Sequence, residues 1–371
     1  MIQREQKMNK LTRLASGMIA ATAISFSTLF SAPASAADSW KFPVLASDLR
    51  PSAMKPFEGK ETEYQSLDSS EVTKKWNLCF LAPHTTNDIL RAYIYGTVEE
   101  SKRLGAKLTV FDAGGYGNLD KQLAQFDDCV TLGANAILLM AVSPTAFSQK
   151  ISEARAKGIK VIDLNIGVDA PVDGRVVVTY IEVGKILGRE LAKLHAKGSG
   201  PVSTVVMPGP AGVAWSEDTA KGFEKAIEGS DIKTEKVIYG GSSRLEQQPL
   251  VEDALTTYPK LGLVVGMGTS VEATLNALRE QGRVGSIALY GSFITPDLIP
   301  AISSGDVAGV VVENSIIINK MAVDMAVRLL EGKATITDAV PAVTLVDKTN
   351  VDKVPASNFA PADWKVQLKV D

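Results

Sequence analysis

The sequence predicts an α/β protein with two doubly wound parallel-sheet domains. From Trp76 onward, short apolar runs alternate with amphipathic stretches, a pattern typical of consecutive βα units. Roughly ten such runs are more than one open sheet comfortably holds. The length of 371 residues and the apolar content of 45% also favour two folded cores over a disordered chain.

The N-terminus has the features of an export signal. Residues 4–13 are basic, residues 14–30 are mostly small and apolar, and Ala34-Ser35-Ala36 matches a cleavage site. A membrane anchor is the alternative, but Ser and Thr interrupt the apolar stretch and the cleavage site follows it. We therefore predict a cleaved signal peptide over residues 1–36 and a mature protein exported to the periplasm.

Residues 37–73 are predicted to form an N-terminal arm, irregular over 38–71, because prolines and charges are scattered through them without a sustained period. We expect three aromatic side chains to attach this arm to the folded body: Trp40, Phe42 and Tyr64.

The regular elements follow in order, with short apolar runs read as buried strands. The predicted strands are 76–82, 107–112, 135–140, 159–164, 174–180, 202–207, 233–239, 261–266, 286–290 and 307–312. Amphipathic stretches between them predict helices at about 89–104, 119–132, 145–157, 182–197, 214–228, 245–257, 270–281, 295–303 and 315–331. Gly105, Gly133 and Gly158 stand where a helix C-terminal glycine belongs. The tail, residues 341–371, is expected to be extended and to return across the junction.

Composition and motifs exclude several classes of function. Without residues 1–36, the chain carries 35 positive and 41 negative side chains, a poor balance for binding nucleic acid. Two His and two Cys are too few for a Cys/His zinc site, so we expect no metal and no cofactor. An exported hydrolase is a third hypothesis, but His84 has no Ser or Cys nucleophile motif beside it. We therefore expect a binding protein rather than an enzyme.

Loops after the strands are the natural place for a ligand, because open α/β sheets bind at the carboxyl ends of their strands. Asn87 and Asp88 precede a helix, so they could cap it or hydrogen-bond a ligand. Tyr116 stands in a loop with three glycines, which predicts either a simple tight turn or an aromatic wall of a pocket. The glycines near Met207 and Met267 lack the remaining features of a phosphate loop or dinucleotide fingerprint.

The two cysteines belong to neighbouring elements. Cys79 lies in the first strand and Cys129 late in the second helix, which crosses that strand in the common order 2-1-3-4-5. A disulfide and two buried free thiols both fit; an oxidising compartment favours the disulfide.

An export signal followed by tandem βα domains resembles the type I periplasmic binding proteins of the ribose-binding class, over about residues 74–345. Four segments resemble the members of this family that sense trimethylamine N-oxide: Trp76–Cys79, Asp112–Tyr116, Gly133–Leu139 and Met207–Pro210. The resemblance implies two lobes around a cleft. Domain 1 would comprise residues 74–178 plus 314–340 and domain 2 residues 181–312, with crossings near Thr179–Tyr180, Glu313–Asn314 and Thr344–Val346.

The resemblance also implies a ligand site that differs from a sugar site. Asn165-Ile166 replaces an Asp-Arg pair, Glu217 stands where an Arg is expected, and Gly291 replaces an Asp. Ile89 and Leu90 replace an aromatic pair after the first strand. The expected ligand-binding residues are Asn87, Asp88, Tyr116, Asn165, Tyr180, Trp215, Ser270, Phe293 and Glu313.

The function expected from this resemblance is sensing. Aromatic rings would contact the methyl groups of trimethylamine N-oxide or a similar solute, and Asn87, Asn165 or Ser270 would donate to its oxygen. Asp88 and Glu313 would suit a cationic methylamine. The partner would be a membrane sensor histidine kinase. The alternative is the solute-binding component of an ABC transporter, with a permease as its partner and a sugar-like or other polar solute as its ligand.

Overall fold

The computed structural model describes residues 39–355 and 358–371, so the predicted signal peptide lies outside the described residues. Within these two stretches, no helix combines the length and the apolar character needed to cross a lipid bilayer.

Strands and helices alternate through most of the chain. The strands are β1 (Lys41–Ser47), β2 (Lys60–Gln65), β3 (Asn77–Ala82), β4 (Lys107–Asp112), β5 (Ala136–Leu139), β6 (Lys160–Asn165), β7 (Gly174–Val177), β8 (Val202–Gly209), β9 (Ile232–Tyr239), β10 (Leu261–Gly266), β11 (Ala288–Gly291), β12 (Gly309–Val312), β13 (Asp338–Pro341), β14 (Thr344–Val346) and β15 (Lys369–Val370). The helices are α1 (Asp88–Arg103), α2 (Leu119–Thr131), α3 (Ser148–Ala156), α4 (Tyr180–Leu194), α5 (Ala214–Ile227), α6 (Arg244–Thr257), α7 (Gly268–Glu280), α8 (Leu298–Ser304) and α9 (Ser315–Leu330).

These strands form two separate sheets. The first has the order β15-β4-β3-β5-β6-β7-β13-β1-β2, and the second has the order β14-β12-β11-β10-β8-β9. Each sheet contains five adjacent parallel strands in the order 2-1-3-4-5, and in the first sheet β13 continues this run in parallel beside β7. The predicted fold class, two doubly wound α/β domains, is therefore confirmed. We call the first sheet with α1, α2, α3 and α9 the first lobe, and the second sheet with α4 to α8 the second lobe.

The chain passes between the sheets at several points. It leaves the first sheet after β7, leaves the second after β12, and enters the second again from β13 to β14. It finally returns to place β15 antiparallel to β4. Since α4 begins directly after the first passage and α9 directly after the second, the residues at these helix starts lie between the two lobes.

The N-terminal arm is more regular than predicted. β1 pairs antiparallel with β13, and β2 pairs antiparallel with β1 at the edge of the first sheet. The partner strand β13 lies almost 300 residues away in sequence, as in the pair Val44–Pro341, so no local pattern reveals it. The aromatic attachment is also present: Trp40 donates from Nε1 to Glu100 at 2.9 Å, and Tyr64 donates from its hydroxyl to Asp324 at 2.7 Å.

Burial explains the sequence pattern of the central strands. All four residues of β5 are buried, because helices cover both faces of a parallel sheet. Cys79 in β3 and Cys129 in α2 form a disulfide with a Cα–Cα distance of 5.8 Å. α1 and α2 are followed by Gly105 and Gly133 at φ +64° and +69°, the left-handed conformation that glycine adopts most readily.

Candidate functional site

A pocket lies between the lobes at the carboxyl ends of both parallel sheets. It encloses about 460 Å³, including the space at its mouth. The loops after β3, β4, β9, β11 and β12, together with the end of β6 and the starts of α1, α4 and α5, supply its walls. The lining side chains are His84, Asn87, Ile89, Leu90, Tyr93, Tyr116, Asn165, Tyr180, Trp215, Ser242, Ser292, Phe293 and Glu313.

Aromatic rings from both lobes form much of the wall. Trp215 lies in the first turn of the second-lobe helix α5, and its ring lies 5.9 Å from Tyr116 and 6.3 Å from Tyr180, measured between centroids. Gly209 adopts φ +127° directly beneath the Trp215 ring, where the Cβ of any other residue would overlap the indole. The glycine of the MPGP segment therefore makes room for an aromatic wall rather than for a phosphate.

Tyr116 is held in the glycine loop as the pocket interpretation requires. Gly114 and Gly115 adopt φ +84° and +141°, so the loop also needs its glycines for backbone reasons. The Tyr116 ring contacts His84 edge to face, with centroids 5.7 Å apart. The loop is therefore both a tight turn and a pocket wall, because the turn holds the Tyr116 ring towards the cleft.

Glu313 supplies a buried carboxylate to the pocket. Only 6% of its surface is exposed, and it accepts hydrogen bonds from the Tyr93 hydroxyl and, at 3.4 Å, from the Ser315 hydroxyl. Burial raises the pKa of Glu313 to about 7, although hydrogen bonds from these hydroxyls, with Tyr180 and Asn165 nearby, lower it in part. No Lys or Arg is among the described residues that line the pocket, so this carboxylate lacks a cationic partner there.

Asn165 lies at the end of β6 in a conformation that is rare for a residue with a side chain. Its φ is +66°, a left-handed value that asparagine tolerates better than most residues. Its Oδ1 accepts a hydrogen bond from the Tyr180 hydroxyl, whereas its Nδ2 is buried beside Glu313 without a well-formed hydrogen bond. A buried amide donor of this kind can bond to a ligand oxygen.

His84 joins the lobes near the pocket mouth. Its Nε2 lies 3.2 Å from the Ser242 hydroxyl of the second lobe, and its Nδ1 faces the backbone N–H and hydroxyl of Thr86. Burial lowers the pKa of His84, which favours the neutral ring. In the described part of the chain, the ring nitrogens of His84 contact only Thr86 and Ser242, so no carboxylate orients this ring as in a Ser-His-Asp triad.

The structure brings seven of the nine predicted ligand-binding residues together at the pocket: Asn87, Tyr116, Asn165, Tyr180, Trp215, Phe293 and Glu313. Asn87 caps α1, because its Oδ1 accepts from the N–H of Leu90, and it also lines the pocket; its hydrogen bond to a ligand stays a prediction. Tyr180, expected at the end of a strand, begins α4 instead.

Two predicted residues lie elsewhere. Ser270 is buried within the second lobe, where its hydroxyl donates to Gln247 at 2.9 Å and to the Met207 carbonyl at 3.3 Å; the expectation that it donates to a ligand is corrected accordingly. The cause is that α7 begins at Gly268, so Ser270 already lies in its first turn and packs under β8. Asp88 lines a second cavity beside the pocket.

Sequence reasoning missed Tyr93, Ser242 and Ser292 as pocket residues, and considered His84 only for catalysis. A signal for Tyr93 was available. It follows Ile89 by four residues and Leu90 by three, so all three share one face of α1. The aromatic group expected after the first strand is therefore provided one helical turn later. Ser242 and Ser292 lie in loops where the sequence carries no comparable signal.

Residues 78–334 match the family model described as a periplasmic binding protein domain, and the chain belongs to this family. The fold and the relatives are those of solute-binding proteins. Among the relatives, the periplasmic protein TorT of Escherichia coli K12 is 28% identical over 291 residues, which cover 78% of this chain and 83% of TorT.

Solved structures give the same family. An ABC transporter solute-binding protein from Bradyrhizobium sp. BTAi1 with bound bis-tris is 34% identical, with a TM-score of 0.75 over 88% of this chain and 98% of its own. A complex of the TorS sensor domain with TorT in the presence of trimethylamine N-oxide has a TM-score of 0.72 at 23% identity, over 79% of this chain and 99% of the matched one. The latter similarity establishes the fold alone.

Proposed function

We propose that this protein is a periplasmic ligand sensor that holds a small methylated amine, such as trimethylamine N-oxide or a methylammonium ion, between its lobes. Residues 74–178 with 314–340 and residues 181–312 would close on the ligand by bending near Thr179–Tyr180, Glu313–Asn314 and Thr344–Val346. The ligand shifts the open–closed equilibrium by its difference in affinity for the two states. A membrane kinase of the TorS type would detect the surface that this shift alters.

The observation that carries this proposal is a buried carboxylate without a cationic partner inside an aromatic wall. An isolated buried charge is costly, and a ligand cation at Glu313 would provide the missing partner. The faces of Tyr116, Tyr180 and Trp215 attract an ammonium and accommodate its methyl groups. A neutral N-oxide would fit the same wall with its oxygen directed to the Asn165 amide or to the protonated form of Glu313.

A sugar fits this pocket less well. Sugar hydroxyls need several polar partners placed around them, because each one buried without a partner costs free energy. The pocket instead offers apolar surfaces from Ile89, Leu90 and Phe293 beside its rings. The likeness to TorT and the bis-tris in the Bradyrhizobium relative, which is itself a tertiary amine, support an amine ligand.

Thermal unfolding of the mature protein tests the ligand. Trimethylamine N-oxide, tetramethylammonium, ribose and xylitol would each be titrated against the wild type and the Glu313→Gln variant. Ligand at 100 times its dissociation constant stabilises by about 2.7 kcal/mol. We expect the methylated amines to stabilise the wild type, and Glu313→Gln to remove most of the tetramethylammonium effect. The surface variant Glu99→Gln on α1 serves as the matched control. Stabilisation by a sugar and by neither amine would refute the proposal.

Solute delivery to an ABC permease is the second candidate function. It is favoured by the Bradyrhizobium relative, which is described as an ABC transporter protein and has 34% identity to this chain. Immobilised protein with and without its amine ligand would be exposed to a purified TorS-type sensor domain. Binding of the sensor domain, with an affinity that the amine ligand changes, is the result expected for a sensor. Absence of binding, together with ligand uptake by vesicles that carry a cognate permease, would favour transport.

A further inference from the structure

A second cavity adjoins the amine pocket and differs from it in chemistry. It encloses about 530 Å³, and the side chains of Asn87, Ile89 and Phe293 line both spaces. Its remaining lining residues are polar or charged and come from both lobes: Thr86, Asp88, Ser243, Arg244, Thr269, Glu272 and Thr295. The cleft therefore contains an aromatic chamber and, beside it, a polar chamber.

Glu272 is the most deeply placed charged group of the polar chamber. It is 7% exposed and accepts a hydrogen bond from the Thr295 hydroxyl. Burial raises the pKa of Glu272, whereas the Thr295 bond and Arg244 lower it. Arg244 lies 3.5 Å from Glu272 but is itself half exposed and is shared with Asp297, also at 3.5 Å. Arg244 therefore neutralises the negative charge of Glu272 only in part.

The balance of groups in the polar chamber selects against an anionic ligand. Asp88 and Glu272 contribute two carboxylates to the lining, and Arg244 contributes its single guanidinium. From outside the chamber, Asp297 engages Arg244 at 3.5 Å and Arg91 engages Asp88 at 3.4 Å, so the five groups together carry a net negative charge. The hydroxyls of Thr86, Ser243, Thr269 and Thr295 add further acceptor and donor oxygens. A ligand carboxylate would meet net repulsion here, whereas a ligand hydroxyl would find acceptors.

We infer that the natural ligand is a methylated ammonium ion with a hydroxylated arm, its methylated head beside Glu313 and its hydroxyl in the polar chamber beside Glu272. This inference rests on the proposed function, because it assigns the head of the ligand to the aromatic chamber. Phe293 and Ile89 line both chambers and would contact the short alkyl segment that joins the two ends of such a ligand.

Four quaternary ammonium ions with the same trimethylated head test this assignment by isothermal titration calorimetry. They are tetramethylammonium, ethyltrimethylammonium, choline and glycine betaine. Choline and ethyltrimethylammonium differ only by one hydroxyl, so their affinity ratio reports the polar chamber. We expect choline to bind about tenfold more tightly than ethyltrimethylammonium, as for a hydrogen bond to a charged acceptor. Glycine betaine should bind more weakly than either because of its carboxylate.

Variants separate the two chambers. Glu272→Gln should abolish the preference for choline and leave the affinity for tetramethylammonium unchanged; Asp88→Asn, at an exposed position, should reduce the preference without a risk to folding. Equal binding of choline and ethyltrimethylammonium, or a preference that survives both variants, overturns the inference while the proposed function stands. If none of the four ions and no trimethylamine N-oxide binds, the proposed function fails and the inference fails with it.

Discussion

The hydroxyl of Tyr93 donates a hydrogen bond to the carboxylate of Glu313, although 220 residues separate them in the sequence. Tyr93 belongs to α1, and Glu313 follows β12 at the point where the chain crosses to the first lobe. The bond therefore fixes a residue at the junction of the lobes to a helix of the first lobe. It also stabilises the ionised carboxylate, which burial alone would disfavour.

Tyr93→Phe should raise the pKa of Glu313 further and weaken cation binding at pH 7. The substitution keeps the ring and removes only the donor, so the loss should be about tenfold in tetramethylammonium affinity. Titration calorimetry across pH measures it, with Tyr95→Phe as the control because Tyr95 lies on the same helix and contacts Trp364 instead. An unchanged affinity and pH profile in Tyr93→Phe would show that the bond does not tune the carboxylate.

Because of Glu313, the stability of the unliganded protein should fall as pH rises, whereas its affinity for a cation should rise. Its pKa is raised from 4.5 to about 7, so the folded state holds the proton more tightly than the unfolded chain. The corresponding stability is complete below pH 4.5 and is lost as pH rises through about 7, amounting to at most about 3 kcal/mol. Tetramethylammonium needs the carboxylate, so its affinity should rise over the same range and level off above it.

The difference between wild type and Glu313→Gln isolates this contribution from those of other titrating groups. Denaturant unfolding at several pH values gives the free energy of unfolding of each protein, and calorimetry gives the affinity. We expect the stability difference between the two proteins to change between pH 5 and 8 and to be flat above that range. A difference that is constant from pH 4 to 8 would mean that Glu313 keeps an ordinary pKa.

Tyr116→Leu should weaken binding of tetramethylammonium on the order of tenfold, because leucine retains apolar bulk but removes the cation–π attraction. The protein should stay folded, since Tyr116 is only partly buried and lies in a loop. Tyr239→Leu is the matched control: Tyr239 is also half-buried, but its hydroxyl bonds to Glu217 and it does not line the pocket. Full affinity in Tyr116→Leu would remove this ring from the binding wall.

The regular part of the fold was predictable because the central strands are buried on both faces. Their apolar runs, as in β5, are visible without knowledge of any partner. The strands of the arm were not predictable, because β1 depends on β13 and β2 is a charged edge strand with one buried residue, Tyr64. Their stability comes from long-range pairing, which leaves no local period.

The site residues that lie at or just after the carboxyl ends of strands were predictable from the sequence. Asn165 ends a strand and Tyr116 and Glu313 follow strands, and parallel strands in adjacent lobes bring such residues together. Ser270 also follows a strand, but the first turn of α7 directs it to Gln247 within the lobe. Tyr93 reaches the pocket from the second turn of a helix, so a search restricted to loops could not find it. The rotation of a helix about its axis decides whether Ser270 and Tyr93 face the pocket, and the sequence of the preceding loop does not reveal this rotation.

Removal of the disulfide should lower stability and leave ligand binding intact. Cys79 and Cys129 are separated by 50 residues, and opening a loop of that length costs about 4 kcal/mol in the chain-entropy description. Neither cysteine lines the pocket. The Cys79→Ala, Cys129→Ala double variant should therefore unfold at lower denaturant concentration and bind tetramethylammonium with wild-type affinity. A reducing agent should destabilise the wild type and not the variant; no effect on the wild type would mean that the pair is already reduced in the folded protein.

Close packing of α4 against α5 should control the position of the aromatic wall. Tyr180 begins α4 and Trp215 lies in the first turn of α5, and their rings are 6.3 Å apart. A Cβ at Gly222 of α5 would overlap the carbonyl oxygen of Ile181, and one at Gly184 of α4 would overlap that of Thr219. Gly222→Ala must therefore separate the helices, at a cost of about 3 kcal/mol, and this movement should widen the gap between the two rings.

The expected result for Gly222→Ala is a lower melting temperature together with weaker binding of tetramethylammonium, because the ligand can no longer contact both rings at once. Gly117→Ala is the stability control, since its Cβ would meet no atom within 4 Å. Leu191→Ala, in the buried last turn of α4 remote from Tyr180, controls for a loss of stability alone. If Gly222→Ala and Leu191→Ala lose stability equally but only Gly222→Ala loses affinity, helix separation sets the pocket; equal affinities in the two variants would show that it does not.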